Sequence, residues 1–363
     1  FGILRAIKLQ DMLEAGCRFK LLLADIRRGK INIKYEEDKD VMCDCMEHGE
    51  EELKKLFLSI KNASLEILTE DELFSLLMGG KISAYIGFEP SNTLHLGSLV
   101  ACRPLLTFLK FGFKGKILLA DVHAWLNGKG ELDELKMIGK RNEDILKRVC
   151  KAFGVDVGLV EFIYGSEYQF NEEYIKLVMK LSKFVTASEA RKAMDIISKR
   201  GESHKVSSEI YPLMQCVDIM YLNVNVAIGG IDQRKIHVMA REFLKKLGYG
   251  KFVAIHTPII LGLDGKTKMS KSLGNALTFD DDNEMIIHKI KMAFCPEGVV
   301  DGNPLFDIIE HVIFPWMGGL EIRNNYYMNL SELKNSWKRK EISALELKDA
   351  VAYTLSRIFD KIK

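Results

Sequence analysis

The chain has 363 residues, 52 Lys+Arg against 50 Asp+Glu, 47% apolar and 28% charged residues, and only 7 Pro. That composition excludes disordered, collagen-like and low-complexity classes, and at roughly 150 residues per domain it predicts two domains with a small appendage. A formal net charge of +2 excludes a histone-like wrapper of nucleic acid, while a basic face balanced by an acidic one stays compatible with it.

No apolar run approaches the ~18 residues needed to span a bilayer, and no charged-then-apolar leader opens the sequence. The expectation is a cytoplasmic protein without membrane association. Phe1 in place of Met reads as a fragment or a trimmed chain. Seven cysteines (Cys17, Cys43, Cys45, Cys102, Cys150, Cys216, Cys295) are odd in number and mostly apolar in context, as reduced core residues are. Cys43, Cys45 and His48 lack a fourth ligand at zinc-like spacing, so no metal site is assigned.

In chain order, the first 48 residues hold an incomplete repeat. Leu9, Leu13, Gly16, Lys20, Leu23, Ala24 and Asp25 recur as Leu105, Leu109, Gly112, Lys116, Leu119, Ala120 and Asp121, each 96 residues later. This copies one helix–strand unit, which cannot bury its apolar face alone. It reads as an extra edge or as the remnant of a second copy, with the acidic stretch 35–44 as linker.

From residue 81, β-type runs alternate with helical patterns. Residues 81–88 read as a strand, 94–111 as a helix, and 116–122 as a strand buried on both faces. Leu132, Leu135, Ile138, Ile145, Leu146 and Val149 place a helix over 131–153. Strands follow at 160–164, 223–228 and 252–261. This alternation predicts an α/β fold, a Rossmann-like parallel sheet covered by helices, with ligands beyond the carboxyl ends of the strands. After residue 279 the pattern turns helical with no clear strand, so the boundaries are 1–48, 49–280 and a small helical domain over 281–363.

Three segments carry chemistry. In the first, Tyr85 to Ser91 leads to His95-Leu-Gly-Ser98: a strand, a loop, then an imidazole and a glycine at a helix start, where free amides and the helix dipole favour phosphate. In the second, Gly265 to Gly274 is a mobile-looking loop with Lys266, Lys268 and Lys271, whose ammonium groups are costly to hold together without an anion between them. Its Gly-Lys-Thr is no phosphate-binding P-loop, because Ile260 occupies the place of the first required glycine. In the third, Tyr211, Gln215 and Asp218 share one helix face within an apolar run, and Gly229-Gly-Ile-Asp232-Gln233 closes a strand with further polar groups.

His95-Leu-Gly-Ser98 with Lys268-Met-Ser-Lys-Ser272 resembles the paired signatures of class I aminoacyl-tRNA synthetases, and the tyrosine-specific archaeal and eukaryotic branch fits best. The resemblance runs from about residue 65 to 304 through Ala84–Ser91, Leu119–His123, Gly130–Glu134, Tyr164–Glu167, Tyr211–Gln215, Gly229–Lys235 and Ala293–Gly298. It implies attack of the tyrosine carboxylate on the α-phosphate of Mg-ATP, with Mg2+ carried by the nucleotide, then transfer of the tyrosyl group to tRNA(Tyr). His95, Ser98, Lys268 and Lys271 are then the catalytic residues. Gly87, His95, Gly97, Gly230, Asp232, Lys268, Met269, Ser270 and Lys271 would hold ATP. Tyr85 and Asp218 would grip the phenol, Tyr211, Gln215 and Gln233 the ammonium group, with Glu89 and His123 lining the same pocket.

The middle region is then a catalytic domain with a connective insertion, and 281–363 an anticodon-binding type of domain, in a homodimer or a tandem pseudo-dimer. Ser98 stands where many relatives carry a second histidine; it can hydrogen-bond phosphate but holds no charge, which implies slower activation. In the C-terminal region the relatives' His-Pro-x-Asp-Leu-Lys element is Ser343-Ala-Leu-Glu346-Leu-Lys348, and their Trp-Gly-Gly stretch is not recognisable around 324–327. A tryptophan-specific synthetase, a non-catalytic synthetase-derived RNA-binding or regulatory protein, and a small-molecule adenylyltransferase are the rival readings.

Overall fold

The computed structural model describes residues 51–194 and 205–363. The offset repeat, its acidic linker and the Cys43, Cys45 and His48 group lie outside the described residues. A helical run over 51–62 comes first. It leads to β1 (Glu66–Leu68), α1 (Glu70–Met78), β2 (Ser83–Phe88), α2 (Leu96–Lys110), β3 (Lys114–Leu119), α3 (Asp121–Leu126), α4 (Leu132–Ala152) and β4 (Val160–Tyr164). Then come α5 (Glu172–Ser182), α6 (Ala187–Met194), α7 (Val206–Tyr221), β5 (Val226–Gly230), α8 (Arg234–Phe243) and β6 (Val253–Thr257). The C-terminal part holds α9 (Asn283–Met292), α10 (Pro304–Ile308), α11 (Phe314–Met317), β7 (Leu320–Ile322), β8 (Asn325–Tyr327), α12 (Leu330–Lys338) and α13 (Ala344–Ile362).

Six strands form one sheet in the order β1-β6-β5-β2-β3-β4, parallel except for β1. Side-chain alternation along each strand sorts its residues onto two faces. One row, Ile67–Ile255–Ile228–Ile86–Ile117–Phe162, crosses all six strands in register. Of these, Ile86, Ile117, Ile228 and Ile255 are no more than 2% exposed. Burying each isoleucine side chain contributes about 1.5–3 kcal/mol. The row packs with α2 and, without a break in the apolar interior, with Leu347, Val351, Leu355 and Phe359 of α13. The opposite face carries the smaller set Tyr85, Leu118, Ala227 and Ala254, covered by α5, α7 and α8.

Several boundaries differ from the sequence reading. The strand expected over 116–122 stops at Leu119, because the buried Asp121 turns the chain: its Oδ1 accepts from the amides of Val122 (2.9 Å) and Ser166 (2.9 Å). The strand expected to begin at 223 begins at Val226. Asn223 has positive φ (50°), and Asn225 uses its side chain to tie the segment to Ser83 N (2.8 Å) and Lys81 O (2.6 Å). The run 252–261 is a strand only to Thr257, since Pro258 cannot donate to a ladder. The C-terminal region, read as strandless, contains the β7–β8 hairpin. Three-residue strands are too short to show a period of two, and the turn places Arg323 at φ 56°.

Candidate active site

β2 leads on to β3 and β4 on one side of the sheet, and β5 to β6 on the other, so the strand order reverses between β2 and β5. A crevice opens at such a reversal, beyond the carboxyl ends of the strands. Phe88 and Gly230 end the two strands there, and the helix α2 starts opposite them.

The deepest part is a buried carboxylate. Tyr211, Gln215 and Asp218 lie on one side of α7, at i, i+4 and i+7. Asp218 is 0% exposed. Its Oδ1 accepts from the hydroxyls of Tyr168 (2.7 Å) and Tyr174 (2.8 Å) and from the Gln169 amide (2.9 Å). Its Oδ2 is buried and accepts from nothing, and His123 Nε2, equally buried and unpartnered, lies 3.6 Å away. Gln169 Nε2 also faces His123 Nδ1 at 3.3 Å. An amide N–H donates, so Nδ1 accepts and the ring proton sits on Nε2. A donor and an acceptor therefore confront each other in a dry space, too far apart to bond. A hydroxyl, which donates and accepts at once, satisfies both. Tyr85 belongs to the same wall. Burial, then the Asp218 charge, pushes its phenol well above the ordinary value, so it stays protonated as a donor. Burial likewise keeps Tyr168 and Tyr174 protonated.

A second polar line runs toward the mouth. Tyr211 donates to Glu89 Oε1 (2.6 Å), which also accepts from Asn127 (2.8 Å). Gln215 donates to Gln233 Oε1 (3.0 Å), Gln233 to Asp232 Oδ1 (3.3 Å), and Lys268 Nζ lies 3.2 Å from Asp232 Oδ2. The Gln215 Oε1 is buried and unpartnered. Acceptors thus gather between Tyr211, Gln215 and Gln233, a setting for a cation with N–H bonds.

At the start of α2 the chain caps itself. The Gly97 amide donates to His95 Nδ1 (3.1 Å), and the His95 amide donates to Ser98 Oγ (3.4 Å). Gly97 is needed for this: a Cβ there would stand 2.8 Å from His95 Cε1. With Nδ1 accepting, the His95 proton is on Nε2. Burial, helped by the Lys268 ammonium, lowers the ring to about 4, so it is a neutral donor beside a helix N-terminus.

The lysine loop, expected to be mobile, is a closed hairpin base. Leu261 bridges Lys268, the Gly262 amide donates to Thr267 O (2.8 Å), and Met269 N donates to Ile260 O (3.0 Å). Buried Asn275 sits inside it, accepting from Ser270 N (2.8 Å) and donating to Asp264 and Thr267 (3.2 Å each). Lys268 rests on Asp232, and Lys271 lies 3.8 Å from Asp280, which also holds Arg141 (2.8 Å).

The structure thus gathers Tyr85, Glu89, His123, Tyr211, Gln215, Asp218, Asp232 and Gln233 with His95 and Lys268 around one crevice. Met269 departs from that set: its side chain is 4% exposed and belongs to the apolar interior, leaving only its backbone toward the loop. Gly87 is exposed, and an added Cβ would come no closer than 3.9 Å to Leu118. Gly230 is close to Asp232, whose Oδ1 would lie 2.7 Å from a Cβ there. Sequence reasoning missed Tyr168, Gln169, Tyr174, Asn127 and Asn275. The first two directly follow the Tyr164–Glu167 stretch, and a Tyr-Gln pair beside it was the available signal.

A family profile described as tRNA synthetases class I (W and Y) matches residues 78–360. The chain is 41% identical over 315 residues to the tyrosine–tRNA ligase of Archaeoglobus fulgidus, covering 85% of this chain and 96% of that one. It is 43% identical over 314 residues to the tyrosine–tRNA ligase of Methanocaldococcus jannaschii, covering 85% and 98%. The crystal structure of the Archaeoglobus fulgidus tyrosyl-tRNA synthetase complexed with L-tyrosine superposes with a TM-score of 0.79 at 39% identity, over 85% of this chain and 98% of that one.

The His95 geometry has a measurable consequence. Its pKa falls from 6.5 to about 4 on folding. The unfolded chain therefore takes up the proton first as pH drops, and the stability held by the neutral ring, intact above about 6.5, is lost on the way down to about 4. NMR titration of the His95 ring should show a midpoint near 4; a midpoint near 6.5 would contradict this burial.

Proposed function

The chain belongs to the class I tRNA synthetases that serve tryptophan and tyrosine, and we infer that it is the tyrosine enzyme, which activates tyrosine with ATP and transfers the tyrosyl group to tRNA(Tyr). The observation that carries this reading is the unpartnered pair Asp218 Oδ2 and His123 Nε2. A phenol donates to the first and accepts from the second, with Tyr85 alongside. Phenylalanine would leave both groups unpaired in a dry pocket, a penalty that discriminates strongly. An indole N–H could serve the carboxylate but has no oxygen to accept from His123.

The substrate ammonium lies among Tyr211, Gln215 Oε1 and Gln233 in this reading. ATP, carrying Mg2+ on its phosphates, supplies the α-phosphorus that the tyrosine carboxylate attacks, with pyrophosphate leaving. Such chemistry needs positioning and charge stabilisation more than a nucleophilic side chain. His95 Nε2–H and the α2 N-terminus donate to phosphate oxygens, with Gly97 and Ser98 at the same turn, and Gly87 and Gly230 border the nucleotide. Asp232 takes the ribose, which releases Lys268 to the phosphates. Lys271 leaves Asp280 in the same way, while Ser270 and the Met269 backbone belong to the loop that carries both lysines. Ser98 stabilises the turn but carries no charge.

The second substrate has a surface to meet. Among the described residues, a groove of about 500 Å³ in the C-terminal part is lined by Arg323, Arg357, Tyr326 and Tyr353 together with Glu321, Glu346 and Asp349, with Arg323 ion-paired to Glu346. Guanidinium groups and exposed aromatic rings suit the phosphates and bases of an unpaired RNA loop, so the anticodon is placed there. No described helix is long and apolar enough to cross a membrane. Trp125 (42% exposed) packs edge-on against Phe170 (51%), and Ile175 and Met179 are exposed one turn apart on α5. We place the second copy of a homodimer on this face.

ATP–pyrophosphate exchange with each of the twenty amino acids should respond to tyrosine alone. Exchange with tryptophan would overturn the pocket assignment, and no exchange at all would overturn activation; in the same assay Ser98→His should raise the rate. Transfer should fall by at least about tenfold when the anticodon of tRNA(Tyr) is altered, and equal charging would remove the C-terminal groove from recognition. Sedimentation should give the mass of two chains, returning to one in Phe170→Glu; a monomeric parent chain would exclude the dimer.

A further inference from the structure

Behind the site, four side chains form a line that the chemistry above does not use. Glu66 on β1, His256 on β6 and Gly229 on β5 are register partners across three adjacent strands. Alternation puts all three on the face covered by α8. Glu66 is held at the sheet edge by Arg234, with both carboxylate oxygens within 3.0 Å of Nε. His256 Nδ1 lies 2.9 Å from Glu66 Oε2, and His256 Nε2 lies 3.0 Å from His237 Nδ1. The two rings meet end to end, their centroids 5.2 Å apart and their planes 22° from parallel, and both are at most 1% exposed.

The proton order in this line is forced. Arg234 keeps Glu66 ionised and so an acceptor only. His256 must then donate from Nδ1, its Nε2 must accept, and His237 must donate from Nδ1. Each ring is fixed in tautomer and in tilt, as a ligand histidine is fixed by the carboxylate behind it. Both rings are held neutral, His256 lowered and His237 down to about 3, burial being the main cause for each.

His237 lies one helical turn beyond Gln233, on the same side of the segment that enters α8. Both reach over Gly229: a Cβ there would be 3.0 Å from Gln233 Cγ and 3.3 Å from His237 Cε1. The fixed ring and the Gln233 side chain therefore share the space over Gly229. We propose that the Arg234–Glu66–His256–His237 line is a positioning device that sets Gln233, and through it the grip on the substrate ammonium group. It rests on the reading of Gln233 given under Proposed function, and its members act through Gln233.

Asn and Gln at 256 separate the two ends of the line. Asn reaches about as far as Nδ1 and can keep the bond to Glu66, whereas Gln reaches about as far as Nε2 and can accept from His237. In tyrosine-dependent pyrophosphate exchange, with rates divided by titrated active sites, His256→Asn should raise KM for tyrosine about tenfold, with kcat and KM for ATP within about twofold. His256→Gln should return KM for tyrosine to within about threefold of the parent. Glu66→Met, which lets His256 take the other tautomer and so removes the obligatory acceptor that the Gln oxygen supplies unaided, should give the same one-sided rise if His256→Asn does not fold. An unchanged KM for tyrosine, an equal rise for tyrosine and ATP, or identical behaviour of the Asn and Gln variants would overturn the proposal. Absence of exchange in the unsubstituted chain would instead overturn the functional reading beneath it.

Discussion

A carboxylate with no exposure to water is the constraint around which the rest of the crevice is arranged. Asp218 is tolerable inside the protein only because three donors converge on Oδ1. Those donors come from the turn after β4 and from α5, so two segments distant in sequence are held against α7 by one side chain. The stacked Tyr168 and Tyr221 rings (5.0 Å) and the edge contact of Tyr168 with Tyr174 (5.3 Å) then close the wall. All hydrogen-bonding capacity on one side of the carboxylate is consumed by the fold, and all of it on the other side is left open. Oδ1 answers to stability and Oδ2, in the proposed reading, to recognition, a division one buried group can sustain because its two oxygens face different elements.

The cations around the mouth obey the same economy. Lys268 and Lys271 are each set against an aspartate, Asp232 and Asp280, so the repulsion between neighbouring ammonium groups is screened within the fold. His95 contributes by being neutral. An imidazolium so near Lys268 would add to the repulsion, whereas a neutral ring with its proton on Nε2 still donates. Its tautomer is fixed by the Gly97 amide, an interaction that exists because residue 97 has no side chain.

The sheet and the crevice were legible in the sequence wherever a single segment carried the signal. The apolar runs at 83–88 and 160–164, the polar residues one helix face apart on α7, and the His95 and Lys268 elements each announce themselves locally. What escaped is relational. Tyr168, Gln169 and Tyr174 look like ordinary helix-flanking residues until Asp218 is brought within 3 Å of them. Asn275 looks like a loop residue until it is seen filling the hairpin. Asp121 reads as the end of a strand, but its burial and its two amide partners make it the start of a helix. Met269, inside a signature read as nucleotide-binding, is turned into the core, because a loop that presents lysines outward needs an apolar anchor facing in. The β7–β8 hairpin is too short for any period to register.

That anchor is compatible with the proposed role of the loop, in which a stiff base carries lysines that change partners. Residues 260–263 are fixed from the C-terminal side. Asp307 at the end of α10 accepts from Leu261 N (2.9 Å), and the Phe294 amide donates to Leu263 O (2.8 Å). Burial raises the Asp307 carboxyl, with the Leu261 amide acting against that rise; removing the amide would leave a half-buried acid without its donor. Phe294 also lies against Gly265, where φ is +67° and a Cβ would meet its ring at 2.4 Å, so the chain turns there only as glycine. Lys268 and Lys271 lie beyond these ties, on long flexible stems that are themselves about half exposed. In the proposed reading, exchange of aspartate for phosphate then requires side-chain motion at the tip and none at the base. The C-terminal helices, packed into the same apolar interior as the sheet, hold that base in place.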